Sequence, residues 1–174
     1  MKVALVQCPA FGIDRPPLAI GYLSAFLKKY DYEVNIFDLN IDLYSKTEEK
    51  NKEFWEFKHV FQWLDNNYFS DEGILPKNYF RKWAEKIIVS NPDVIGFSVQ
   101  SSSLLASINL AREIKSIASD KTIVFGGPIN LSYSIEHAHY LLQLEDPSKI
   151  KIVDVVVLGE GEETFIEVLE RIKN

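Results

Sequence analysis

A single cysteine, Cys8, stands in a chain of 174 residues. It excludes an internal disulfide, and it excludes the several thiolates that would hold an iron–sulfur cluster from within the chain. A lone thiol with no obvious histidine partner reads as a small buried side chain rather than a nucleophile. Positive charge is also scarce. The 19 Lys and Arg are outnumbered by 25 Asp and Glu, for a formal net charge of −6, and they are scattered along the chain. A nucleic-acid surface needs clustered Lys and Arg, so no nucleic-acid partner is expected. Long apolar runs are missing too. No stretch approaches the roughly 20 uninterrupted apolar residues of a membrane span, and no membrane partner is expected. The chain opens on a short strand-like run, Lys2-Val3-Ala4-Leu5-Val6-Gln7, instead of a charged segment followed by a long apolar one and a cleavage site. That leads to the expectation of a cytoplasmic protein.

Several chemical signatures are absent. There is no phosphate-binding P-loop, and the first strand–helix turn holds only Gly12, so the three-glycine dinucleotide fingerprint is missing. The histidines are His59, His137 and His139. The last two, two residues apart on a helix, do not face each other and make a poor metal pair. Glu162 and Glu163 sit where a helix begins, and interaction with the helix dipole explains them. No catalytic set and no protein metal ligand is assigned.

What is present is a row of apolar runs that end in small or polar residues. The most informative are Val94-Ile95-Gly96-Phe97-Ser98, Phe125-Gly126-Gly127-Pro128 and Leu158-Gly159-Glu160-Gly161-Glu162. With 47% apolar and 25% charged residues the balance is that of a globular protein. The length suits one domain, residues 1–174, that buries roughly 70% of its unfolded surface.

Strands are expected over residues 3–7, 33–37, 93–98, 122–125 and 153–158. Helical spacing follows the first of them, where Pro16 and Pro17 open a helix carrying Leu18, Tyr22, Ala25 and Phe26. Ser101, Ser102 and Ser103 form an N-cap cluster for a helix with Leu104, Ile108, Ala111 and Ile114 on one face. Residues 132–144 read as a less regular helix, and Phe165, Val168, Leu169 and Ile172 make an amphipathic last one. Between the second and third strands, at about residues 43–90, lies an aromatic-rich insertion. It reads as two helices near 49–65 and 78–89 joined by Ser70-Asp71-Glu72-Gly73, and it holds Trp55, Trp63 and Trp83. Packing onto the domain is the favoured reading of the tryptophans; a docking face for another domain is the sharper one.

Strands alternating with helices predict an α/β fold: a flavodoxin-like (Rossmann-like), doubly wound, five-stranded parallel sheet of order 2-1-3-4-5 with a helical insertion between strands 2 and 3. Such sheets bind ligands along their carboxyl edge, here the loops 8–17, 98–103, 126–130 and 159–162. Glycines let backbone approach a ligand, and serines offer hydroxyls, so a flat, nucleotide-bearing ligand is expected. A phosphoacceptor receiver domain has this topology but needs acidic residues where Gln7-Cys8 and Ser98 stand. Other readings are a domain binding flavin or S-adenosylmethionine at the same edge, or a non-catalytic interaction scaffold.

Pro16 through Leu23, Tyr32-Glu33-Val34, Asp38-Leu39-Asn40, the aromatic insertion, Pro92 through Ser98, Phe125 through Pro128 and Gly159 through Phe165 span nearly the whole chain. In order and spacing they resemble the cobalamin (B12)-binding domain that precedes the catalytic barrel in cobalamin-dependent radical SAM enzymes. The resemblance implies a corrin ring over the carboxyl edge and a nucleotide tail that enters the domain. Ser98, Gln100, Ser101, Ser102, Gly126 and Gly127 would line the tail, Gly159, Glu160 and Gly161 would close one side, and the loop with Pro9 and Leu18 would face the ring from below. Better-known cobalamin modules carry Asp-x-His-x-x-Gly after the first strand. Here Gln7-Cys8-Pro9-Ala10-Phe11-Gly12 leaves Pro9 in place of the cobalt-binding histidine. The implied function is to position a corrinoid for a radical SAM barrel, in cis or in trans, for methyl transfer. The [4Fe-4S] cluster and S-adenosylmethionine would belong to that barrel, and this chain would turn over nothing by itself.

Overall fold

The computed structural model describes the chain except residues 15, 60, 66–74, 128 and 174; of 129–134 it describes the backbone only. β1 (Lys2–Gln7) leads to α1 (Leu18–Lys28), β2 (Glu33–Asp38) and α2 (Leu39–Lys46). The insertion follows as 3-10 turns at Glu49–Trp55, Phe57–His59 and Gln62–Leu64, then α3 (Tyr79–Val89). β3 (Val94–Ser98), a 3-10 turn at Ser101–Ser103, α4 (Leu104–Ile117), β4 (Thr122–Gly126), α5 (Ile129–Leu142), β5 (Val155–Val156) and α6 (Gly161–Lys173) complete the order.

The strands form one sheet, β2-β1-β3-β4-β5, with every neighbouring pair parallel. This is the α/β, Rossmann-like architecture expected from the apolar runs. Register lines up the carboxyl ends: Gln7 lies beside both Asp38 and Ser98, and Ser98 lies beside Gly126. The small residues that end the runs therefore stand in one row.

The pleat sends alternate side chains to opposite faces, and the two faces are covered unequally. Ala4, Val6, Ile95, Phe97, Ile123 and Phe125 belong to a broad core with Leu39 and Leu43 of α2, Trp83 and Ile87 of α3, and Leu110 and Ile114 of α4. Val3, Leu5, Val94 and Val124 belong to a smaller core with Ile20 and Leu27 of α1 and Phe165 and Leu169 of α6. Among the described residues no helix is long and apolar enough to cross a membrane.

Four local expectations are revised. Residues 49–65 form no continuous helix, because their indoles bond and pack individually. Trp63 Nε1 donates to Phe54 O at 2.7 Å, Trp55 Nε1 donates to Asn40 Oδ1 at 2.7 Å, and the two rings meet edge-on at 5.1 Å. All three tryptophans are buried, as packing requires; among the described residues of the insertion the aromatic side chains that face solvent are Phe57 and Phe61. Second, α2 starts directly at the end of β2, capped by Asp38 Oδ1, which accepts from Ile41 N at 3.0 Å. Third, β5 has two residues instead of six; single backbone bonds to β4 flank it, from Asp154 N to Ile123 O (3.0 Å) and from Val157 N to Phe125 O (2.8 Å), and at its start the Asp154 carboxylate takes Ile123 N (2.7 Å) and the buried Lys115 (2.8 Å). Fourth, α5 begins at Ile129, ahead of the expected start at 132. The expected turn at Ser70-Asp71-Glu72-Gly73 lies outside the described residues.

Candidate functional site

The thinly covered face opens at the carboxyl edge into a cleft of about 240 Å³. Leu5, Gly96 and Val124 of the central strands form its floor, Ala19, Ile20 and Leu23 of α1 one wall, and Val157 and Phe165 the other. Each wall follows from sequence spacing. Ala19 and Leu23 are four apart, one helical turn, and so share a face of α1. Gly96 is the floor residue that lets α6 close in: a Cβ there would stand 3.1 Å from Phe165 Cζ and 3.2 Å from Leu5 Cδ2. The ring of Phe165 occupies the space that a side chain at residue 96 would take.

The rim carries the polar groups. Ser98 ends β3, Gly126 ends β4, and Gly159, Glu160, Gly161 and Glu162 lead into α6. The rim glycines have different reasons for being glycine. At Gly126 an added Cβ meets only Val157, its Cβ at 3.6 Å, which is ordinary contact, so extra bulk there would take up cleft space. Gly127 has φ +122° and its Cβ would lie 2.4 Å from Val99 O and 2.9 Å from Val99 N. Val99 N in turn donates to Gly126 O at 2.7 Å, so the crossing of the β3 and β4 ends requires glycine whatever is bound.

The expected site residues divide accordingly. Ser98, Gly126, Gly127, Gly159, Glu160 and Gly161 share the cleft. Pro9 is buried in the loop after β1, and Leu18, 70% exposed, stands at the start of α1 beside the lining residue Ala19. Gln100, Ser101 and Ser102 lie in the turn before α4, outside the lining. Gln100 and Ser103 cap one another reciprocally, and Ser102 Oγ donates to Ala10 O at 2.7 Å, so these polar groups hold the fold. The apolar lining from Ala19, Ile20, Leu23 and Phe165 was not foreseen from sequence. The available signal was Gly96, a glycine inside an apolar strand, which marks close approach of another group.

The loop after β1 is held from both sides. Besides the Ser102 bond, Asn40 Oδ1 accepts from Phe11 N at 2.9 Å while Asn40 Nδ2 donates to Phe11 O at 3.0 Å. Cys8 is fully buried, and burial pushes its thiol up to about 12, with the nearby Asp38 carboxylate adding to the rise and a Ser107 contact opposing it. A thiol so placed is a packing group. Cys8 is expected to resist a thiol reagent in the native protein and to react once guanidinium unfolds it; fast native labelling would place it at the surface. The unfolded chain gives up this proton at lower pH than the folded one, so folding stability is expected to fall as pH rises from about 9.0 towards about 12. A stability plateau across that range in denaturant titrations would contradict the burial.

Among the described residues no group of three His, Cys, Asp or Glu side chains could hold a metal ion. His59 Nδ1 pairs with Gln62 Oε1 at 2.7 Å, inside the insertion.

No family model matches the chain. It is 26% identical over 159 residues, 90% of its length, to cytidylyl-2-hydroxyethylphosphonate methyltransferase of Streptomyces wedmorensis. It is also 26% identical over 177 aligned residues, 98% of its length, to an uncharacterized methyltransferase of Pyrococcus horikoshii. The chain spans 24% and 29% of the lengths of these two proteins.

Proposed function

We propose that the chain binds a corrinoid, cobalamin, for a methyl-transfer system, with the flat base of the nucleotide tail in the cleft at the carboxyl edge. The observation that carries this reading is the cleft itself. At about 240 Å³ it falls short of the roughly 300–1,000 Å³ that encloses a whole drug-sized ligand, so it suits one planar ring of a larger molecule whose remainder stays outside. Its apolar floor and walls suit an aromatic base, and Ser98 supplies a hydroxyl at the mouth. The likeness to two methyltransferases supports the methyl-transfer part.

The residues present fit the group in a further way. Gly126 leaves open space toward the cleft, and nothing lies within 4 Å of where side chains on Gly159 and Gly161 would begin, so backbone there can be approached closely. When bound, the corrinoid would supply a cobalt-carried methyl group; the protein's share is to hold and orient the cofactor. Pro9, buried and with no side-chain ligating atom, would leave the loop after β1 without an imidazole to offer the metal. Glu160 and Gly161 close the rim on the α6 side. The partner in this reading is a radical SAM barrel, in cis or in trans, that carries its own [4Fe-4S] cluster and S-adenosylmethionine.

The test is a visible absorption spectrum of the purified chain after incubation with hydroxocobalamin and removal of free cofactor by gel filtration. Stoichiometric co-elution, with the spectrum of cobalamin whose base has left cobalt, is expected. Folded protein that elutes colourless overturns the reading, and a yellow chromophore retained from expression replaces the corrinoid with a flavin in the same cleft.

A further inference from the structure

We infer that Asn40 is a positioning residue for the ligand-side loop after β1, and that through Trp55 it makes the aromatic insertion part of that loop's support. The role of the loop in holding a ligand rests on the corrinoid reading above; the coupling between insertion and loop does not.

Asn40 is 3% exposed and uses both ends of its amide. Its oxygen accepts from Phe11 N at 2.9 Å and from Trp55 Nε1 at 2.7 Å, and its nitrogen donates to Phe11 O at 3.0 Å. One side chain thus pairs both backbone groups of Phe11, as an adjacent strand would, and the same oxygen fixes an indole from the insertion. Removing the Asn40 amide leaves the buried Trp55 indole N–H and both backbone groups of Phe11 without this partner, which costs more than the bonds' net contribution when made, whereas removing the Trp55 indole takes one of two donors from Asn40 Oδ1. Asn40 is itself fixed, because it is the second residue of α2, whose first turn is capped by Asp38. Trp55 is fixed by edge-on contacts with Tyr44 at 5.3 Å and Trp63 at 5.1 Å.

On the opposite side of the loop Ser102 Oγ holds Ala10 O. Consecutive residues Ala10 and Phe11 are therefore clamped between the β2–α2 junction and the turn before α4. The loop runs on into α1, whose Ala19, Ile20 and Leu23 form one wall of the cleft. A change in how the insertion seats Trp55 is thereby transmitted to the wall and mouth of the site.

Trp63 provides the control, since its indole N–H donates to Phe54 O within the insertion, and phenylalanine in its place gives up that bond while keeping an aromatic ring against Trp55. In the whole chain without ligand, Trp55→Phe is expected to speed hydrogen exchange of the Phe11 amide about tenfold, the scale of one buried hydrogen bond, and Asn40→Ala more. Trp63→Phe, compared at a denaturant concentration giving equal global stability, is expected to leave Phe11 exchange unchanged. Hydroxocobalamin affinity is expected to weaken in the same order. Equal acceleration by Trp55→Phe and Trp63→Phe, or none by Trp55→Phe, overturns the coupling. Faster exchange with unaltered affinity in a chain that binds overturns the positioning role. A wild-type chain that takes up no hydroxocobalamin defeats the corrinoid reading alone, and the exchange comparison still decides the coupling.

Discussion

Gly126→Val is expected to weaken hydroxocobalamin binding about tenfold or more while the protein stays folded. The valine side chain would enter a cleft of about 240 Å³ from its rim, and its first carbon meets Val157 at an ordinary 3.6 Å, so the fold can accept it. Forcing extra methyl groups into an occupied site costs about 1–3 kcal/mol, which sets the expected loss of affinity. β-branched residues also suit a strand end, so backbone preference does not oppose the change. The measurement is a binding isotherm of wild type and variant, paired with thermal unfolding of each. A variant that melts like wild type and binds equally well moves the tail out of this cleft.

Gly127→Ala is expected to do the reverse, lowering stability by about 3 kcal/mol or more before any ligand is considered. Left-handed backbone that only glycine adopts without strain contributes about 1–3 kcal/mol of that. The remainder comes from a methyl carbon set 2.4 Å from the carbonyl oxygen of Val99, which is backbone and cannot swing aside. For a domain of this size the melting temperature is expected to drop by about 6–12 °C. Gly161→Ala, with nothing within 4 Å of the added carbon, is the matched control and is expected to stay within about 0.5 kcal/mol of wild type. An unchanged midpoint for Gly127→Ala would mean that the chain does not pass Val99 as described.

From sequence the two glycines look alike, both expected to line the tail. The structure separates them, because what decides their tolerance is the neighbouring strand's backbone, a contact between Val99 and Gly127 that spacing alone does not reveal. The sheet order was legible for the opposite reason: continuous apolar runs such as Val94 to Phe97 are demanded by burial on both faces, and that pattern is local. The insertion was partly legible. Tyr79–Val89 is a helix as its periodicity predicts, whereas Glu49–Trp55 is governed by where Trp55 and Trp63 find hydrogen-bond acceptors, among them Asn40 in another element. The serine cluster divides in a similar way. Three hydroxyls after a strand point to a ligand, yet Ser102 bonds Ala10 and Ser103 bonds Gln100, leaving Ser98 as the serine that lines the cleft.

The two-residue β5 has a consequence for how copies of this protein meet. A sheet edge invites another chain to add a strand when it offers a long, flat row of unpaired amides and carbonyls. Here that edge strand is only Val155 and Val156, with the Asp154 carboxylate turned inward to Lys115 before it and glycines from residue 159 after it. At the other edge β2 opens on the exposed, ion-paired Glu33 and closes on Asp38, whose carboxylate caps a helix. The short β5 margin thus offers no long apolar template, and β2 carries acidic residues at both of its ends, features that oppose edge-to-edge addition of further copies.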